Sequence, residues 1–99
     1  MHESLDEIER YLIEKVREIR KLKKISGPDL SLAIGKGNTF ISDIEAPSKK
    51  AKYNTVHLNL IAKALDCSPK DFWPDNPILE EKYNFIKVAK PRKNKSKKK

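Results

Sequence analysis

The sequence predicts an all-α domain, and three observations carry that prediction. Ile8, Leu12, Val16 and Ile19 recur at helical intervals of four, four and three, with Leu22 three further on. Two short helical patterns follow, Leu30 with Ile34 and Ile41 with Ile44, separated by Gly35-Lys36-Gly37, which is too short and glycine-rich to be anything but a tight turn. Helix-start signals then repeat along the chain: Ser26 before Pro28, Asn54 or Thr55 before Leu58, and Ser68 before Pro69.

Ninety-nine residues suffice for one domain. With 37% hydrophobic residues and a mean hydropathy of −0.73, the core is expected to be small. A domain of about 60 residues buries only about 60% of its unfolded surface, so dimerisation or a partner would add stability. Cys67 is the single cysteine, which rules out an internal disulfide and suits a reducing interior. No apolar run is long enough to span a membrane, and the acidic opening MHESLDEIER lacks the marks of a signal peptide, so the cytoplasm is the expected location. The formal net charge of +8 is unevenly placed: eight of the 22 Lys and Arg lie from residue 87 onward, with no acid among them. That leaves 14 basic residues against all 14 acidic ones in the first 86 positions. The excess belongs to the tail, and the basic pI by itself is weak support for DNA binding.

Taken in order, Ser4 with Glu7 three residues on is a capping-box signature, which starts the first helix at Ser4 and runs it to about Lys24, with charges of both signs on its other faces. The second helix opens at Pro28, where a missing N–H costs nothing, with Ser26 as its cap. A third spans about 37–45 and is ended by Pro47, and Lys49, Lys50 and Lys52 crowd the loop that follows. The fourth buries Leu58, Ile61, Ala62 and Leu65, and the short fifth, opened by Ser68-Pro69, carries Phe72 and Trp73. Pro74 and Pro77 break the chain. Residues 75–89 read as a helical extension with Leu79, Tyr83 and Ile86 on one side, although KYNFIKV also alternates as a strand would. Residues 90–99, KPRKNKSKKK, are expected to be disordered.

Catalysis has no constellation to rest on. His2, His57 and Cys67 are isolated, so no metal site is expected, and His57 reads as a surface or packing residue. Glu80-Glu81 reads as a solvated pair pointing in different directions, and Gly35-Lys36-Gly37 lacks the spacing of a nucleotide-binding loop. The chain is not expected to be an enzyme or to carry a cofactor.

Residues 26–45, SGPDLSLAIGKGNTFISDIE, have the arrangement that lets a second helix enter a DNA major groove while the first braces it. The stretch resembles the helix-turn-helix of the phage Cro and repressor-like family of transcription regulators, through Ser26, Leu30, Ile34, Gly35, Ile41, Ser42, Ile44 and Glu45. VREIRKLKKIS, residues 16–26, is similar to the family's first helix, and LIAKALDCSPKDFW, residues 60–73, to its last two. The ordered set covers roughly two thirds of the chain. It implies a compact four- to five-helix bundle of the lambda-repressor-like kind, with a DNA-binding domain over 16–74 and residues 1–15 lengthening its first helix.

By that resemblance, Asn38, Thr39, Ser42 and Asp43 lie where the family reads bases, with Phe40 close to the backbone. The N–H groups near Ser26 and Gly27 and the lysines Lys36, Lys49, Lys50 and Lys52 are the candidate phosphate contacts. Gly27 stands where the family commonly has Gln, Lys36 where it is usually apolar, and Cys67 where it has a small apolar core residue. Arg20 and Glu45 both carry the family's residues for an ion pair between the first helix and the recognition helix. The implied partners are double-stranded DNA and a second copy of the chain, with no membrane; Leu5, Ile8, Tyr11 and Leu12 offer a further protein contact. The alternatives are a protein-interaction or antitoxin-type module without independent DNA reading, and non-specific nucleic-acid binding led by the tail.

Overall fold

The computed structural model describes residues 5–48 and 50–83. It is an all-helical bundle: α1 (Glu7–Leu22), α2 (Gly27–Ala33), α3 (Phe40–Glu45), α4 (Thr55–Leu65) and a closing 3₁₀ turn, Pro69–Phe72. No strand occurs among the described residues. Every element contributes a fully buried side chain to one core: Val16, Leu30, Ile41, Ile61 with Leu65, and Phe72. Each such side chain contributes on the order of 1.5–3 kcal/mol by leaving water, and truncating Phe72 to Ala would cost about 3–5 kcal/mol. The apolar face expected of α4 is the observed one, Leu58, Ile61, Ala62 and Leu65 all being buried.

α1 starts later than its sequence suggests. Its N-cap is Asp6, and the Glu9 carboxylate accepts the Asp6 N–H at 3.0 Å. Asp6 and Glu9 have the same spacing as Ser4 and Glu7, and Ser4 lies outside the described residues. The next amide, Glu7 N–H, is capped from far away: it donates to Glu80 Oε2 at 2.6 Å. Lys82 Nζ reaches Asp6 Oδ1 at 2.7 Å, and this contact holds the Asp6 carboxyl below its usual range. Glu80 is therefore no idle member of a solvated pair. α1 then runs unbroken past residues 15 and 16, and Leu12 and Ile13 sit in the same core as Val16, with Leu5 and Ile8 packed against it. The apolar side chains of the N-terminal extension are thus largely used within this chain; Tyr11 is half-buried, with Lys15 Nζ 5.6 Å from its ring centre.

Three helices end the same way, in a left-handed residue whose successor donates back across the last turn. Lys24 (φ 60), Gly35 (φ 79) and Asp66 (φ 58) hold that place. Ile25 N–H reaches Arg20 O at 3.1 Å, Lys36 N–H reaches Ser31 O at 2.9 Å, and Cys67 N–H reaches Ala62 O at 2.9 Å. The first of these turns sends the chain away from the core directly after Leu22, which is 73% exposed although it continues the apolar spacing of α1. Beyond the 3₁₀ turn, Trp73 is exposed and residues 74–83 are irregular, with a turn at 81–82. The helix expected over 75–89 is absent as far as Tyr83; Ile86 and the tail from 90 lie outside the described residues.

Candidate nucleic-acid interface

α2 and α3 are short, and they are held together by polar contacts as much as by their isoleucines. Ser26 Oγ caps α2 by accepting Asp29 N–H at 3.0 Å, with Pro28 in the first turn. Gly35 is required by its positive φ at the end of α2, whereas Gly37 has ordinary backbone geometry and open space around it. Ser31, fully buried, is the hinge pin: its hydroxyl donates to Gly27 O at 2.8 Å and accepts Ile41 N–H at 2.9 Å. It supplies one of the orphan amides at the start of α3 with a partner from α2. Gly27 itself lies against α3, but a Cβ there would stop at 3.9 Å from Ile41 Cγ2 and 4.0 Å from Ser42 N, ordinary contacts that leave room for a side chain.

The C-terminal end of α3 is fixed to α1. Arg20 Nη2 donates to Glu45 Oε1 at 2.8 Å and Arg20 Nε to Glu45 Oε2 at 3.1 Å. Arg20 Nη1 donates to Ile25 O at 2.8 Å, so one guanidinium joins α1, the α1–α2 turn and α3. Both side chains of the pair are 10% exposed. Near them, Tyr53 is buried, and its hydroxyl has no hydrogen-bond partner among the described residues. Burial, aided by the Glu45 charge, pushes its phenol well above the ordinary range.

The N-terminal end is open. The helix begins at Phe40, so Asn38 and Thr39 lie in the turn before it rather than on it. Gly37 would lose more backbone entropy than any other residue on joining the helix, and residues 38–39 form a turn instead, with no side-chain cap from Thr39. Asn38, Thr39, Ser42 and Asp43 are all exposed, while Ile41 and Ile44 are buried on the other side. Three of the four are already engaged: Thr39 Oγ1 donates to Asp43 Oδ2 at 3.2 Å, and Ser42 Oγ donates to Thr39 O at 3.1 Å. Asn38 makes no hydrogen bond among the described residues. Its amide is the one reader free to offer both donor and acceptor to a base edge.

The flanking cations are unequal. Lys36 Nζ stands over the Phe40 ring, 5.5 Å from its centre. Lys50 is exposed, and Lys49 lies outside the described residues. Lys52 Nζ is drawn toward α1, donating to Glu9 Oε2 at 2.6 Å. His57 packs edge-on against Phe40 and caps α4 reciprocally with Asn54, a role that its isolation in the sequence did not suggest. Burial, then the Lys36 charge, holds its pKa below the usual histidine range. Cys67 is half-buried against the core. No group of three or more metal-ligating side chains occurs among the described residues, and none of the described helices is long and apolar enough to cross a membrane. The contacts that sequence reasoning missed, Ser31 with Ile41 and Glu80 with Glu7, depend on partners brought in by the fold, whereas the His57–Asn54 cap is local.

No family model matches the chain, and no curated protein sequence matches it. Among solved structures, it is similar to that of the restriction-modification controller protein C.AhdI from Aeromonas hydrophila, at 22% identity and a TM-score of 0.56. The match covers 64% of this chain and 92% of that one. At this identity the likeness speaks for the fold alone.

Proposed function

We propose that this chain is a sequence-specific double-stranded DNA-binding regulator of the Cro and repressor-like kind, acting as a homodimer. The observation that carries the reading is the face of α3 and its preceding turn: four exposed polar side chains, Asn38, Thr39, Ser42 and Asp43, opposite two buried isoleucines, on a helix held from behind by Ser31 and at its far end by Arg20. An Asn amide fits adenine N6 and N7, and an Asp carboxylate accepts from cytosine N4. Asp43 near phosphates is costly unless it gains such a donor, so it also rejects wrong bases. The fold shared with a controller protein supports a regulatory role. Two copies would place two such helices on half-sites about 34–36 Å apart.

Lys36, Lys49, Lys50 and Lys52 are the phosphate-facing set in this reading, with Ser26, Gly27 and Phe40 along the backbone. The basic residues from 90 onward add affinity without sequence preference, each contacted phosphate steepening the log–log salt slope by about 0.9. Selection of bound fragments from random DNA tests the proposal. A shared motif, kept after residues 91–99 are deleted, supports it; loss of all preference with the tail would leave only tail-led binding. The second reading, a protein-interaction or antitoxin-type module, is favoured by exposed Val56 and Leu60 on one face of α4, with Trp73 also exposed. It predicts tight binding to a partner protein and no selected motif.

A further inference from the structure

Three side chains from three segments meet beside the start of α3. Lys36 lies in the α2–α3 turn, with its ammonium 5.5 Å from the centre of the Phe40 ring. Phe40, the first residue of α3, meets the His57 ring edge-on, the centres 4.8 Å apart and the planes at 73°. His57 is the third residue of α4, where its backbone N–H donates to Asn54 Oδ1 at 2.7 Å and its Nδ1 accepts Asn54 N–H at 3.1 Å. A ring nitrogen that accepts a backbone N–H carries no proton, so the neutral imidazole holds its proton on Nε2. That Nε2–H has no acceptor among the described residues, and it is not sealed in: the Tyr53 hydroxyl is the only buried side-chain polar atom without a partner there.

The chain thus presents an N–H donor and an ammonium that both lie against one aromatic ring. We propose that Lys36 and His57 together hold a single backbone phosphate of the bound DNA, His57 through Nε2–H and Lys36 through its charge, with Phe40 packed against both. This inference rests on the DNA-binding reading above and adds to it a residue outside the helix-turn-helix. The ring cannot swing away, because the Asn54 N–H fixes one nitrogen and Phe40 fixes one edge. A phosphate anchored at that spot sets the register of α3 against the bases without reading them.

The test uses the full-length protein and its selected operator, with each phosphate in turn replaced by a neutral methylphosphonate. The unaltered chain should lose on the order of tenfold in affinity at one position per half-site through this contact. His57→Leu and Lys36→Gln should each bind the unmodified operator more weakly and show a much smaller loss at that same position. His57→Gln should retain both features, because Gln at the third helical position accepts the N-cap N–H and still offers an outward N–H. If His57→Leu does not fold, His57→Glu keeps the cap without the donor, and the loss at that position must still shrink. A methylphosphonate profile identical in the His57 variants and the unaltered chain makes His57 a helix cap only and overturns the inference while the DNA-binding reading stands. Failure of the unaltered chain to select any motif overturns both.

Discussion

The two ends of α3 are built on opposite plans. At the C-terminal end, Glu45 is held by two hydrogen bonds from an almost buried guanidinium that also binds Ile25 O. At the N-terminal end, Thr39 offers no side-chain cap, the exposed polar groups bond mainly to one another, and Asn38 bonds to nothing among the described residues. One amide there, that of Ile41, is supplied by buried Ser31 from α2. A six-residue helix is far below the length that is stable alone, so its position must come from tertiary contacts. Placing those contacts at the C-terminal end and on the buried side leaves the exposed polar side chains of the N-terminal end free to meet a ligand.

Breaking the fixed end should have the largest effect. Arg20→Ala leaves Glu45 with only the more distant Arg17, whose Nε lies 3.9 Å from Oε1, and Ile25 O without its donor, and is expected to cost up to about 3–5 kcal/mol, read as a fall in the denaturant midpoint. A midpoint equal to that of the parent would mean the pair is solvated and contributes only about 0–1 kcal/mol. Ser31→Ala comes next: it strands the Ile41 N–H in the interior, at about 1–3 kcal/mol. The same measurement, together with faster amide exchange at Ile41, checks it. At the open end the expectation reverses. Asn38→Ala should leave the midpoint unchanged yet lose about 1–3 kcal/mol on the preferred DNA site, relaxing one base position in a panel of single-base operator variants. A uniform loss across that panel would make Asn38 a backbone contact. The smallest effect is expected at Tyr53→Phe, which deletes a buried hydroxyl with no partner beside the Arg20–Glu45 pair. Stability should hold or rise by up to about 1 kcal/mol, and a clear loss would show that the hydroxyl supports the pair after all.

What the sequence disclosed follows the same division between local and distant causes. The buried face of α4, the caps at Ser26, Asn54 and Ser68, and the glycine turn at Gly35 are written within a few residues of where they act, and they were legible. The start of α1 was not. Ser4 with Glu7 and Asp6 with Glu9 are equally good boxes on paper, and the start at Asp6 is braced from more than seventy residues away, Lys82 reaching Asp6 and Glu80 accepting the next amide, Glu7 N–H. Leu22 misled because the apolar period carries on to the last residue of α1, just before the turn made by Lys24, a residue that rarely adopts φ 60. Leu79 and Tyr83 fall four apart, yet the chain from 74 to 83 is irregular. For the candidate interface, which side of α3 faces out was readable from Ile41 and Ile44. Ser31 was not, because a serine among leucines acquires its role only from the segment that meets it; His57 was legible as a packing residue, but not that Phe40 would be its neighbour.

The contact between Glu7 N–H and the Glu80 carboxylate also bears on where this chain can be cut. Trimming to residues 16–74, the span suggested by resemblance, would remove half of α1, including Leu12 and Ile13, and the segment that caps its start. Even a fragment that began at residue 5 but ended at Pro74 would leave the first amide of α1 uncovered and Asp6 without Lys82. A shortened protein made for spectroscopy or crystal growth therefore needs both ends, residues 5 and 83, to behave like the whole. By the same reasoning, a bulky tag fused close to Leu5 would crowd Lys82 and its contact with Asp6.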